Sequence, residues 1–249
     1  MQASTIDEVI VILENIIQAS KSSNDPLGYF AVLYQKVTIK IKEGIENNLF
    51  ENGPRMEKLD VVFANRYLEA YTSYQKKEMV TESWKKAFEL STDYWLIVLQ
   101  HLLMGINAHI NLDLGIAAME ITRNTGIDDL ENDFSKINEI LSSLVNDVQH
   151  DLAKIWPTLL MLLKKAKKVD DFLIDFSMEL ARDGAWNFAK SIANQPTDVL
   201  ASLVRSRDEK VAKNAEIIVP QGIIVKVIMG IIRIGERGSV SEKIEKLKK

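Results

Sequence analysis

Apolar side chains recur at spacings of three and four along nearly the whole chain, and no run alternates apolar and polar residues between hairpin turns. The pattern predicts an all-α fold. Thr5 followed by Glu8 forms a capping box that opens a first helix to about Ser20. Asp25 and Pro26 supply the N-cap and first turn of a second helix, which "FENGP" stops near Asn48. A third helix follows Pro54 through "RMEKLDVVFANRYLEAYTSYQKK", and Thr81 or Ser83 starts a fourth. At "LSTDYW", Ser91 or Thr92 either restarts the chain as a new helix or lies within one long helix that reaches about Met119.

Beyond that point "NTGIDD" is a turn, and a long helix is expected over about 128–155 until Trp156 and Pro157 break it. Helices are then expected over about 157–167, 170–194, 197–217 and 222–235, followed by a charged tail, "SEKIEKLKK", expected to fray. With short connections, eight to ten amphipathic helices have to bury their stripes against one another. We therefore expect a single compact helical domain over 1–249, built around a central buried helix carrying residues 99–118, with a C-terminal helical subdomain from 196 as the alternative.

The central segment, "LQHLLMGINAHINLDLGIAA", breaks the apolar pattern with Gln100, His101, Asn107, His109, Asn111 and Asp113. Each would cost roughly 1–3 kcal/mol if buried without a partner. At about 100° per residue, His101, Gly105, His109 and Asp113 form one ladder, while Gln100, Asn107 and Asn111 gather on another face. His109 and Asp113 are close enough to hold one ion or to share a hydrogen bond. His101 is about 12 Å further along the axis, at about 1.5 Å per residue, and can join them only if the helix breaks near Gly105 or Asn107.

Composition narrows the chemistry. The chain has 249 residues, 47% of them apolar, and 31 Lys and Arg against 35 Asp and Glu, a net charge of −4. No basic face points to nucleic acid. With no cysteine, disulfides, thiolate metal sites and cysteine nucleophiles are excluded. The N-terminus has no basic start or uninterrupted apolar core, so a cytoplasmic location is expected. "IIVPQGIIVKVIMGIIRIG" is interrupted by Pro220, Lys226 and Arg233 and falls short of the ~20 apolar residues of a transmembrane segment. It is expected to be a buried helix, or one through which the protein meets a partner or another copy of itself.

A metal at His109 and Asp113 would need further ligands, for which Asp60, Asp133, His150, Asp175, Glu179 and Asp183 are the candidates. In the third helix, Asp60 and Tyr67 share a face beside Asn65 and Arg66. Arg66 either anchors an anionic ligand or forms a buried ion pair with Asp113 or Asp133. Asp175, Glu179, Arg182 and Trp186 have the spacing of a helix-surface ion-pair face.

"DPLGYFAVLYQKVT", "RMEKLDVVFANRYLEAY", "LQHLLMGINAHINLDLGIAA" and "ENDFSKINEILSSLV" together resemble an uncharacterised, mainly bacterial family, domain-of-unknown-function family 5995, from about residue 5 to 195. The resemblance implies no activity. The residues that match its motifs are Asp60, Arg66, Tyr67, His101, Asn107, His109, Asn111 and Asp113. "MGINAHINLDLG" is also similar to the H-x-x-x-D helix of the zinc-dependent phospholipase C and single-strand nuclease superfamily. That likeness implies metal ligation by His109 and Asp113 and phosphoester hydrolysis, but that superfamily uses about five histidines and this chain has three.

Two expectations result. In the first, the central helix lines a polar pocket in which His109 and Asp113 hold one divalent ion, zinc or manganese. Asp60, Arg66 and His101 would then act on an ester or phosphoester, and Asn107, Asn111 and Tyr67 would bind the small-molecule ligand. In the second, the protein is a non-enzymatic interaction or ligand-binding protein whose polar seams form a structural hydrogen-bond network.

Overall fold

The computed structural model describes residues 1–156, 178–219 and 222–249. Helix α1 (Ile6–Ser23) begins where Thr5 Oγ1 accepts a hydrogen bond from Glu8 N at 3.2 Å. The second half of the expected capping box is displaced by one residue, because Glu8 Oε2 accepts from Ser4 N at 2.6 Å instead of from Thr5. Asn24, left-handed at φ 53°, ends the helix, and Asp25 Oδ1 accepts from Leu27 N to start α2 (Leu27–Glu46), which packs along α1. Helix α3 (Gly53–Gln75) opens at Asn52, and α4 (Glu82–Leu90) opens at Thr81.

Distant carboxylates complete both of these N-termini. Asp133 accepts from Glu51 N, Asn52 N and Arg55 Nη2, and Asp208 accepts from Glu82 N and Ser83 N. Negative groups on otherwise unpaired helix N–H donors contribute typically about 1 kcal/mol each. These contacts also tie α3 and α4 to elements much later in the chain.

At "LSTDYW" the chain does restart, but at Val98 rather than at Ser91 or Thr92. Residues 91–97 form turns, and Gln100 Oε1 caps Ile97 N. The central segment runs as α5 (Val98–Ala108), a π-helical turn (His109–Leu114) and α6 (Gly115–Thr122). By length and composition this run could cross a membrane, and its most apolar window is wholly buried in the protein. Helices α2, α3 and α4 pack against it. Two glycines permit close approach: a side chain at Gly105 would meet the Phe30 ring at 2.3 Å, and one at Gly115 would meet the Ala185 carbonyl at 2.8 Å.

A 3₁₀ turn (Asp128–Leu130) leads into α7 (Glu131–Ile155), which ends at Trp156 as the sequence predicts. The helix expected over 157–167 and the first part of that over 170–194 lie outside the described residues. Helix α8 (Met178–Ile192), α9 (Thr197–Lys213) and α10 (Ala215–Ile218) follow, with α8 against the π turn and α6, and α9 and α10 against α4 and α5. The apolar stretch forms α11 (Ile223–Gly235), with Ile231 and Ile234 exposed.

The C-terminal tail is not frayed. Ser239 and Glu242 form a reciprocal capping box for α12 (Val240–Lys248), whose Ile244 and Leu247 are buried where it packs against α1, α2 and α7. Apolar residues three apart in a short charged tail were enough to anchor a helix once a groove existed to receive them. Among the described residues the architecture is all-α, with no strand.

Candidate functional site

The His109–Asp113 pair forms as its spacing predicts, with Nδ1 3.2 Å from Asp113 Oδ2. The two residues are 2% and 1% exposed. The π turn that begins at His109 carries both, and such turns commonly occur at functional sites because the wider helix re-aims side chains. Asp113 Oδ1 accepts from Arg66 Nε at 2.8 Å, and Oδ2 also accepts from Trp84 Nε1 at 2.8 Å. Of the two partners the sequence allows for Arg66, the fold selects Asp113; Asp133 is engaged by Arg55 instead.

Burial alone would raise the Asp113 pKa, but the Arg66 guanidinium, the His109 ring and the Trp84 N–H outweigh it and hold the carboxyl below its ordinary value. Asp113 is therefore ionised at neutral pH. Burial also dominates at His109 and keeps its pKa low despite the neighbouring carboxylate. A neutral ring beside an ionised carboxylate carries its proton on Nδ1, leaving Nε2 as a bare acceptor. Nε2 is buried and has no hydrogen-bond partner among the described residues. Phe63 stacks on the ring at 3.6 Å between centroids, and Tyr34 meets it edge-on at 4.5 Å.

His109, Asp60 and Tyr34 line one cavity of about 60 Å³ between α2, α3 and the π turn, whose other walls are apolar, among them Leu33, Met56 and Ile110. Asp60, 6% exposed, has no hydrogen bond to its Oδ2. Burial, with a smaller contribution from Glu57, raises its pKa to about 8. Asp60 is therefore mostly a neutral acid at pH 7, and its O–H is a donor. Sequence reasoning finds Asp60 and His109 but misses Tyr34, Phe63 and Trp84, because nothing local in their helices separates them from ordinary core aromatics.

Of the other expected site residues, Tyr67 stays beside His109, whereas Asn107, Asn111 and His101 are elsewhere. Asn107 Nδ2 donates to Val211 O, and its Oδ1 accepts from Asn111 and Asn214; Gln100 Nε2 donates to Ile218 O. Asn107 thus joins the central segment to α9 and Gln100 joins it to α10, while Asn111 donates to Asn107; none of the three lines the His109 cavity. Tyr67 is buried in the same aromatic group, edge-on to Phe30 and Tyr34. His101 lies apart, 5.5 Å from Tyr29 between ring centroids, in a different cavity.

The donor set at His109 and Asp113 does not fit a metal ion. Both Asp113 oxygens are engaged by N–H donors, and among the described residues no group of three His, Asp or Glu side chains could hold one. Asp133 caps α3, and His150 and Asp183 are exposed. Asp175 and the side chains of Glu179 and Arg182 lie outside the described residues, whereas Trp186 packs on Phe134 with 4.8 Å between ring centroids.

No curated protein and no solved structure matches the chain. A family model described as "Family of unknown function (DUF5995)" matches residues 6–221, a span that contains α1 to α10, the π turn and every group around His109. On that match the chain belongs to this family of unknown function.

Proposed function

We propose that this protein binds a small, mainly apolar molecule, or the apolar end of a longer one, in the cavity between α2, α3 and the π turn. Asp60 and His109 fix the polar atoms of that guest. One observation carries the reading: among the described residues three buried polar atoms, His109 Nε2, Asp60 Oδ2 and Tyr34 Oη, lack hydrogen-bond partners, and all three residues line the same apolar cavity. A buried polar atom without a partner costs about 1–3 kcal/mol, and several in one cavity favour a guest that satisfies them. The Asp60 acid donates and His109 Nε2 accepts, so a hydroxyl group suits the pair. At about 10–15 Å³ per water the cavity holds about four to six waters, which such a guest would displace.

The Asp113–His109 pair supports a second reading, proton transfer on the bound molecule. A carboxylate on Nδ1 fixes the tautomer and leaves Nε2 free to take a proton, the arrangement of a general base. Ester or phosphoester hydrolysis here would therefore run through a water activated by His109, with Asp60 as the acid.

Pentan-1-ol, titrated while the His109 ring nitrogens are followed by NMR, tests the binding reading. A saturable shift of the Nε2 resonance is expected, with at least tenfold weaker binding in Asp60→Leu. No saturable change at His109 up to the solubility limit of the alcohol would overturn it.

A further inference from the structure

A second cavity, of about 200 Å³, lies at the other end of α5 and is lined by His101, Tyr29, Leu96, Arg233, Glu236 and Lys243. Lys243, in α12, has a side chain only 2% exposed. Its ammonium carries three N–H donors and donates one to Glu236 Oε2 at 2.8 Å; the other two have no partner among the described residues. Arg233, 16% exposed, donates Nε–H to the Tyr94 carbonyl and Nη1–H to Glu236, and its three further N–H donors have no partner among the described residues. Its guanidinium lies 4.7 Å from the centre of the Tyr94 ring.

Arg233 and Lys243 share a single hydrogen-bonded carboxylate. Glu236 is shared by both cations and also accepts from Val98 N at the start of α5, so one carboxylate serves two positive groups. Asp93 also lines the cavity, but it is exposed at the rim and its Oδ1 takes the Trp95 N–H. Burial, then the charges of Arg233 and Lys243, push the His101 pKa down to about 3, so the ring adds no charge and registers the positive field. Buried cations are normally paired, and among the described residues Arg233 and Lys243 have only Glu236 between them as a hydrogen-bonded carboxylate.

We infer that this cavity is a binding site for a small organic carboxylate, gripped between Arg233 and Lys243 with its apolar body against Tyr29 and Leu96. A guanidinium and an ammonium with unused donors match the two oxygens of one carboxylate. Two cations that share one bonded carboxylate, beside apolar side chains such as Tyr29 and Leu96, favour a monoanion with a hydrophobic body over inorganic phosphate. His101, about 12 Å along the helix axis from His109, belongs to this site and not to the first.

Isothermal titration calorimetry of the full chain at pH 7 with benzoate as the probe tests the proposal, with inorganic phosphate as the competing arm. Saturable benzoate binding is expected, at least tenfold tighter than phosphate, and at least tenfold weaker in Lys243→Met and in Arg233→Gln. His109→Gln, which alters the first cavity, should leave it unchanged. Arg233 is the less buried cation, so Arg233→Gln decides the matter if circular dichroism shows that Lys243→Met fails to fold. No saturable benzoate binding, unaltered binding in Arg233→Gln, or tighter binding of phosphate would each overturn the inference.

Discussion

On the face of the central segment that meets α9 and α10, the side-chain amides of Gln100, Asn107 and Asn111 each donate a hydrogen bond to a protein acceptor, and Asn214 and Arg207 reach back to the same segment. On the face toward α2 and α3, His109 has one nitrogen bonded and the other without a partner among the described residues, next to a cavity it shares with Asp60, whose Oδ2 is likewise unpartnered. Both faces are buried and polar, and they differ in closure. Amides whose groups pair internally fix the register of neighbouring helices and leave nothing for a guest. Titratable groups held in place with a free atom facing a cavity retain their chemistry.

The largest effect is expected where the open face is held together. Asp113→Ala removes the acceptor for Arg66, Trp84 and His109 at once, and breaking a buried pair of this kind costs about 3–5 kcal/mol. Chemical denaturation should show that loss; a change under about 1 kcal/mol would mean that the three donors find other partners.

Next, Asp60→Asn should stabilise the protein in a pH-dependent way. The folded pKa of Asp60, about 8, is above the unfolded value of about 3.9, so the folded state holds the extra proton between these limits. Stability linked to Asp60 is therefore fully present below about pH 4 and lost as pH rises to about 8, a slope of up to about 1.4 kcal/mol per pH unit. The variant should match the wild type near pH 4 and exceed it by a few kcal/mol near pH 8, read from urea midpoints across that range. Parallel curves would show that Asp60 ionises normally.

The smallest of the three belongs to the closed face. Asn107→Ala strands the side-chain amides of Asn111 and Asn214, at a cost of about 1–3 kcal/mol. It should leave pentan-1-ol binding at His109 unchanged. Loss of that binding at unchanged stability would move Asn107 from the framework to the site.

Much of this was legible in the sequence, because it was local. Three- and four-residue apolar spacing gave the all-α class and most helix starts, and Thr5, Asp25 and Trp156 act where they were expected to. Spacing alone also grouped Gln100, Asn107 and Asn111 apart from His109 and Asp113, since a helix fixes the angle between its own residues. Other features are set by partners that are remote in the chain. The tail became α12 because α1, α2 and α7 form a groove for Ile244 and Leu247. Asp113 was engaged by Arg66 and Trp84 from two other helices, which removed it as a metal ligand.

Residue types and helical angles are properties of the chain, so the sequence by itself determined the fold class, the two polar faces and the His109–Asp113 contact. Burial, cavities and the identity of the third and fourth neighbour of a side chain come from the packing of helices far apart in sequence. Only the tertiary structure could therefore decide that Asp60 is an uncharged acid beside a bare His109 nitrogen, and that His101 faces Arg233 and Lys243 in a separate cavity.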